Sequence, residues 1–256
     1  MRNTRVYTDQ PLAKALAQRQ LVRLETMGSA HLVKVLRMRS GARVTLFNGD
    51  GHDYSAEIEA PKPEAAELRI LSQHRNDAES PLKITLIQAL CRGEKMDWVL
   101  EKATELGVHR IIPVQTERSE VQLDAQRAEK RLLHWQRVVI SACEQCGRAQ
   151  LPEVLPLMNL DARLSVSNMS INRAGGLAWV LEPGSNRVIH HIAELVLAPP
   201  GLEIAVGPEG GFSERDLAHF SAARFQAVSF GPRILRTETA GIAALAVLQS
   251  LWGDLK

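Results

Sequence analysis

Cysteine is scarce in this chain: Cys91, Cys143 and Cys146 are the only three in 256 residues. An odd, small number excludes a stapled disulfide framework and points to a reducing compartment. Long apolar runs are also missing. The longest, Ala240 to Trp252, is interrupted by Gly241 and falls short of the roughly 20 residues a spanning helix needs. The N-terminus, Met1-Arg-Asn-Thr-Arg5, is polar, with no apolar signal-peptide core behind it, so the expected location is the cytoplasm. Two nucleotide-binding signatures are absent: no Walker Gly-Lys-Ser/Thr ending occurs, and no Gly-x-Gly-x-x-Gly. Net charge is nearly absent too, at +2.

What is present is ordinary in amount and uneven in place. Apolar content of 45% and charged content of 23% fit a globular protein with one large or two modest domains. Residues 1–45 carry nine Lys/Arg against Asp9 and Glu25, whereas residues 46–82 carry three basic and eight acidic residues. A basic block of this kind supplies the sequence-independent phosphate attraction of a nucleic-acid binder. On its own, it is equally a solvated surface.

The first part of the chain reads as a small β-rich domain with one helix. His31–Met38 is the helix, with Ser29 as its cap and Gly41 beyond its end. Strands are predicted at 44–47, 54–58 and 67–71, with Asn48-Gly-Asp-Gly51 as a hairpin turn between the first two. The polar stretch Asn76–Pro81 marks a boundary, giving domains at 1–75 and 76–256. Beyond it, strands at 84–90, 108–114 and 177–181 alternate with helices from about 94 to 106 and 124 to 146. This alternation predicts a mostly parallel α/β sheet. Met96, Val99, Leu100, Ala103 and Leu106 form one face of the first of these helices, and Gly107 caps it. Segment 161–176 reads as a surface connection.

The informative stretches lie near the end. Gly207-Pro-Glu-Gly-Gly-Phe212 follows the strand-like Ile204–Val206, and Gly231-Pro-Arg-Ile-Leu-Arg-Thr-Glu-Thr-Ala240 follows Ala227–Phe230. Each leads into a helix, starting at Ser213 and near Thr237. Two strand–loop–helix corners side by side make a ligand crevice at the carboxyl ends of the strands. Glu209 and Glu238 would repel a phosphate, so a cationic or neutral polar ligand is expected. Two further loops, Arg92-Gly-Glu-Lys95 and Glu117-Arg-Ser-Glu120, follow strands on the same rim and are candidates for substrate contact.

Cysteine and histidine patterns carry less. Cys143-Glu-Gln-Cys146 has Cys-x-x-Cys spacing, but there is no second pair, and the nearest histidine, His134, lies nine residues before it. The pair closes a helix instead of opening one, so dipole stabilisation of a thiolate is missing. His190-His191 has no acidic ligand pattern nearby. No metal site is expected.

GPEGGFSERD followed by FGPRILRTETA resembles the signature of the RsmE family of SPOUT-class RNA methyltransferases. RGEKMDWVLEKATELGV, CEQCGR and the HLVKVLRM–G–VTLFNGDG region extend the resemblance over nearly the whole chain. It implies a PUA-like RNA-binding β-barrel followed by a methyltransferase domain with a C-terminal trefoil knot. It also implies a homodimer, and transfer of a methyl group from S-adenosylmethionine to N3 of a uridine in 16S ribosomal RNA of the small subunit. Carried onto this sequence, the methyl donor would lie against Leu181 and Glu182, the corner Gly207, Pro208, Glu209, Gly210 and Gly211, and then Phe230, Gly231, Ile234 and Leu235. Thr237 and Thr239 would fix the last loop. Loss of the N3 proton calls for a carboxylate base, Glu209 or Glu238, or for an arginine stabilising the anion, Arg92 or Arg236. Arg2, Arg5 and Arg37 of the basic block, with Arg92, Lys95 and Arg118 of the rim, are the candidates for RNA contact.

Overall fold

A computed structural model describes residues 4–167, 175–189 and 197–255. Arg2 and the pair His190-His191 lie outside the described residues. The chain divides into two compact units, residues 1–79 with 140–151, and residues 80–139 with 152–256. The sequence reading cuts the chain once, after residue 75; no change of composition marks the return of 140–151 to the first unit.

The first unit is a five-stranded sheet in the order β1-β3-β4-β5-β2. Its strands are β1 (Arg5–Tyr7), β2 (Leu21–Arg23), β3 (Arg43–Phe47), β4 (His52–Ala60) and β5 (Glu67–Arg75). β1 runs parallel to β3, and all other neighbours are antiparallel. The edge strands β1 and β2 do not pair with each other, so the sheet is a half-barrel. Alternation places Val44, Leu46, Tyr54, Ala56, Ile58 and Leu68 in one core. The predicted hairpin turn is there, with Gly49 and Gly51 both at positive φ, 91° and 86°. Asp50 closes it, accepting from the Tyr54 hydroxyl at 2.7 Å.

Helices α1 (Leu12–Gln18) and α2 (Thr26–Ala30) accompany this sheet, and α2 continues as a wider π-type turn, His31–Val35. Ser29 does not cap a helix as expected. It lies inside α2, fully buried, where its hydroxyl donates to the Leu24 carbonyl and accepts from Ala66 N–H at 2.8 Å. A buried hydroxyl with two backbone partners is a fastener, not a helix start.

The second unit holds an all-parallel sheet ordered β12-β10-β11-β6-β7-β8, with β9 also pairing with β7. Its strands are β6 (Ile84–Ala89), β7 (Arg110–Gln115), β8 (Glu153–Val154), β9 (Met158–Asn159), β10 (Leu177–Leu181), β11 (Leu202–Val206) and β12 (Gln226–Val228). The helices that follow in the chain are α3 (Lys95–Glu105), α4 (Ala125–Cys146), α5 (Leu160–Ser167), α6 (Glu214–Ala222) and α7 (Thr237–Trp252); α4 passes from the second unit into the first at residue 140. β6 and β11 are buried along their whole length, as strands covered on both faces must be. No helix among the described residues is long and apolar enough to cross a membrane.

Residues 160–167 are not surface connection. Leu160 and Leu164, four apart, face the core, and Arg163 forms a buried ion pair with Glu203 of β11. The polar letters around them hide a single helical turn of apolar contact. Cys143 is buried and Cys146 half-buried, both as free thiols. The hydrogen bond between them and, after it, burial push the Cys143 thiol far above the ordinary range, which makes it inert.

Two glycine corners form the candidate active site

The crevice is built where β10, β11 and β12 end. β10 lies between β11 and β12, so the loops leaving β11 and β12 open on either side of Leu181. In the first corner Gly211 N–H bonds back to the Pro208 carbonyl at 2.9 Å, with Gly211 at φ 67°. A side chain at Gly207 would meet the Phe212 ring and backbone at 3.3 Å, a tight contact that would require Phe212 to shift by a few tenths of an ångström. Ser213 then starts α6 with a full capping box: its hydroxyl accepts from Asp216 N–H, and the Asp216 carboxylate accepts from Ser213 N–H, both at 3.0 Å.

In the second corner Gly231 turns at φ 86°, and α7 starts after Arg236. One side chain ties the corners together. The Thr237 hydroxyl donates to the Gly207 carbonyl at 2.6 Å and accepts from Gln88 Nε2 at 3.1 Å.

Between the corners lies a cavity of about 380 Å³. Its walls hold Leu181 and Glu182 from the end of β10, and Gly207, Pro208, Glu209 and Gly211 from the first corner. The second corner adds Phe230, Gly231, Ile234, Leu235 and Thr237. Gly210 and Thr239, also expected here, do not line it. Gly210 packs against Arg118, and Thr239 is exposed on the first turn of α7. Of the candidate catalytic groups, Glu209, Arg236 and Glu238 face the cavity and Arg92 does not. The Arg92 guanidinium is paired with Glu120, while its backbone N–H donates to Glu209 Oε1 at 3.1 Å.

The RNA candidates scatter. Lys95 lines the cavity, with Nζ 3.2 Å from Glu209 and 3.3 Å from Glu238. Arg118 braces the first corner, donating to the carbonyls of Gly210 at 3.2 Å and Phe212 at 3.3 Å. Arg5 is committed within the first unit to Asp53 at 2.7 Å, to the Arg148 carbonyl at 3.0 Å and to the face of Phe47. Arg37 is exposed. Sequence reasoning missed Arg233, although it stands inside the motif, and also the apolar floor of Val206, Phe212 and Val228. The floor was findable, because strand ends next to a glycine corner must face whatever the corner holds.

Electrostatics separate the carboxylates. Burial pushes Glu209 up, but the backbone N–H groups of Arg92 and of Glu209 itself, with the Lys95 ammonium, outweigh it and hold the carboxyl below its ordinary 4.5. Glu182 is raised by burial, partly offset by the charge of Arg118. Lys95 is raised by its hydrogen bond to Glu209, against burial, and stays cationic. Burial also lifts the neighbouring Cys91 thiol to about 11, which removes it as a nucleophile near neutrality. A cavity with apolar walls, exposed main chain, three carboxylates and three cations suits a ligand that is part apolar and carries charges of both signs.

Comparison with known proteins agrees with this geometry. Residues 78–249 match the model of an RNA methyltransferase domain, and residues 29–71 that of an RNA methyltransferase PUA domain. The chain belongs to the RsmE family of RNA methyltransferases. Among its relatives is the ribosomal RNA small subunit methyltransferase E of Buchnera aphidicola, 33% identical over 92% of this chain and 93% of the relative. The enzyme of the same name from Bacillus subtilis is 30% identical over 85% of each. Two solved structures superpose over essentially the full length. A methyltransferase of Legionella pneumophila with bound SAM is 39% identical at a TM-score of 0.89, covering 100% of both chains. The small subunit methyltransferase E of Neisseria gonorrhoeae, bound to S-adenosylmethionine, is 38% identical at 0.87, covering 99% of this chain and 100% of that one. The first unit is thus a PUA-like half-barrel, and the second a parallel-sheet, SPOUT-like methyltransferase domain.

Proposed function

We propose that this protein transfers a methyl group from S-adenosylmethionine to N3 of a specific uridine in 16S ribosomal RNA of the small subunit. The observation that carries the reading is the cavity itself: two glycine corners, tied by Thr237, expose main chain and carboxylates around an apolar floor. Relatives of matching length with S-adenosylmethionine bound support it. When bound, that cofactor supplies an electrophilic sulfonium methyl. Leu181, Val206, Ile234 and Leu235 would hold its apolar parts, the corner backbones its polar edges, and Glu182, Glu209 and Glu238 its positive charge.

The protein's own task is to position uridine and to manage the N3 proton, which must leave before the nitrogen can attack. Glu209 is a poor proton acceptor, because its partners stabilise the ionised form. Its work is orientation and charge. Glu182 and Glu238 remain as acceptors. Arg236 and Arg233 are exposed at the mouth of the cavity and have no ion-pair partner among the described residues, so they are available for the uracil anion or an RNA phosphate. Arg92 and Arg118, already bonded to protein groups, brace the rim. Residues 1–75 form the RNA-contacting domain, with Arg37 on its surface, and residues 76–256 carry the transfer site. The active form is a homodimer in the cytoplasm.

The test is methyl transfer from labelled S-adenosylmethionine to small ribosomal subunits, or to bulk tRNA, from a strain lacking the enzyme. Label recovered as 3-methyluridine in the small-subunit RNA is the expected product. Label on tRNA or on a ribose would overturn the substrate assignment. Donor binding with no transfer to either RNA would favour a binding role in ribosome assembly.

A further inference from the structure

Lys95 stands in an odd place. It is the first residue of α3, where the positive end of the helix disfavours a cation. Its ammonium lies instead between two carboxylates from distant parts of the chain, Glu209 of the first corner at 3.2 Å and Glu238 of α7 at 3.3 Å. All three side chains line the cavity and are less than a third exposed, so this is not an ordinary surface pair. Glu209 is further anchored by Arg92 N–H.

Charge counting gives the arrangement a meaning. Two carboxylates and one ammonium leave a net charge of −1 on this wall. Glu182 adds one carboxylate and Arg233 and Arg236 add two exposed cations, so the lining as a whole counts to zero and the −1 belongs to this less exposed wall, while Arg118 and Arg92 are turned to carbonyls and to Glu120. The site of a sulfonium methyl donor faces a particular demand: the ligand enters carrying one positive charge more than the product that must leave. A wall charged −2 would hold the donor strongly but would also set two carboxylates against each other without a cation. A neutral wall would not distinguish donor from product.

We propose that Lys95 is a positioning residue that sets this wall at −1, and so sets how far the site prefers a cationic sulfonium over its neutral thioether product. This rests on the reading of the cavity as an S-adenosylmethionine site. Lys95 holds the first corner and α7 at a fixed separation, and it trims their combined charge. At these partly exposed distances one unit of charge changes the affinity for a cation roughly threefold to tenfold.

The experiment is calorimetric titration of the full chain at low salt with S-adenosylmethionine and, separately, with S-adenosylhomocysteine. The readout is the ratio of the two affinities, independent of turnover. Lys95→Met is expected to raise the donor-to-product ratio roughly threefold to tenfold. Lys95→Arg should leave it within about twofold, because the charge is retained. Glu238→Gln should move it the opposite way, toward product, and tests the proposal even if Lys95→Met fails to fold. A ratio that stays fixed in both Lys95→Met and Glu238→Gln, with both affinities falling together, would overturn the proposal and leave Lys95 a mere brace. If the unaltered protein bound neither ligand, the cofactor reading itself would fall, whatever the variants did.

Discussion

The two glycine corners differ in how they are held. The first is fastened on every side. Arg118 holds two of its carbonyls, Lys95 and Arg92 N–H hold Glu209, and Ser213 and Asp216 lock the helix that follows. In the second, residues 230–235 make no hydrogen bond among the described residues, and Ile234 is 81% exposed. Its support comes from either end, where Ser229 bonds to Ser185 and Thr237 to the first corner. One corner is preorganised; the other is left for a ligand to complete. That is the division expected of a site in which a small donor binds a rigid wall and a large substrate closes over it.

The largest effect should come from the open corner. Arg236→Ala should lower kcat roughly 100-fold, the cost of losing one anion-stabilising group, while donor affinity stays within about threefold. Equilibrium binding alongside steady-state kinetics separates the two quantities. Cutting the tie between the corners comes next. Thr237→Val leaves the Gly207 carbonyl without its hydroxyl donor and takes one of two oxygen acceptors from Gln88 Nε2, which keeps the Ala89 carbonyl, at a cost of about 1–3 kcal/mol, to be read from denaturant unfolding. Loosening the fastened corner is milder. Arg118→Ala should weaken donor binding about threefold to tenfold, the worth of one or two hydrogen bonds, with little change in RNA affinity.

These effects rest on contacts that were unequally legible in the sequence. The corners themselves were plain, because Gly-Pro and Gly-Gly after apolar runs carry their own backbone requirement. Lys95 and Arg118 were not. Their roles depend on which of several exposed cations meets a partner, and the partners lie about a hundred residues away in sequence. Lys95 and Arg118 were read as RNA contacts, yet the fold gives both to the glycine loop. Arg5 looked like part of a basic surface, but Asp53 and the Arg148 carbonyl occupy it. Helix 160–167 was hidden because one turn of apolar contact leaves almost no periodicity, and Ser29 because a hydroxyl fastener and a helix cap look alike in sequence. The expectation of a trefoil knot rests only on the family resemblance, since hydrophobic pattern carries no information about threading.

The smallest effect distinguishes the carboxylates by pH. Glu209 sits below its ordinary 4.5, so the stability it lends the first corner is complete above that value and is lost only as the pH falls through its depressed pKa. Glu182 runs the other way: its raised pKa means a contribution present below 4.5 and lost as the pH rises through the raised value. Glu209→Gln should therefore flatten the acid side of a plot of Tm against pH. Glu182→Gln should raise Tm slightly near neutrality, by about a degree or two. The reverse pattern would mean that the two carboxylates have been assigned the wrong surroundings.

The most direct test of the division between the corners is a paired measurement on Arg118→Ala and Arg236→Ala: donor Kd, and the single-turnover rate of methyl transfer at saturating donor. A crossing is expected. Arg118→Ala should lose affinity and recover nearly the full rate once saturated, whereas Arg236→Ala should keep its affinity and lose the rate. Equal proportional losses of both quantities in both variants would contradict it, and would mean that the corners act as one rigid unit.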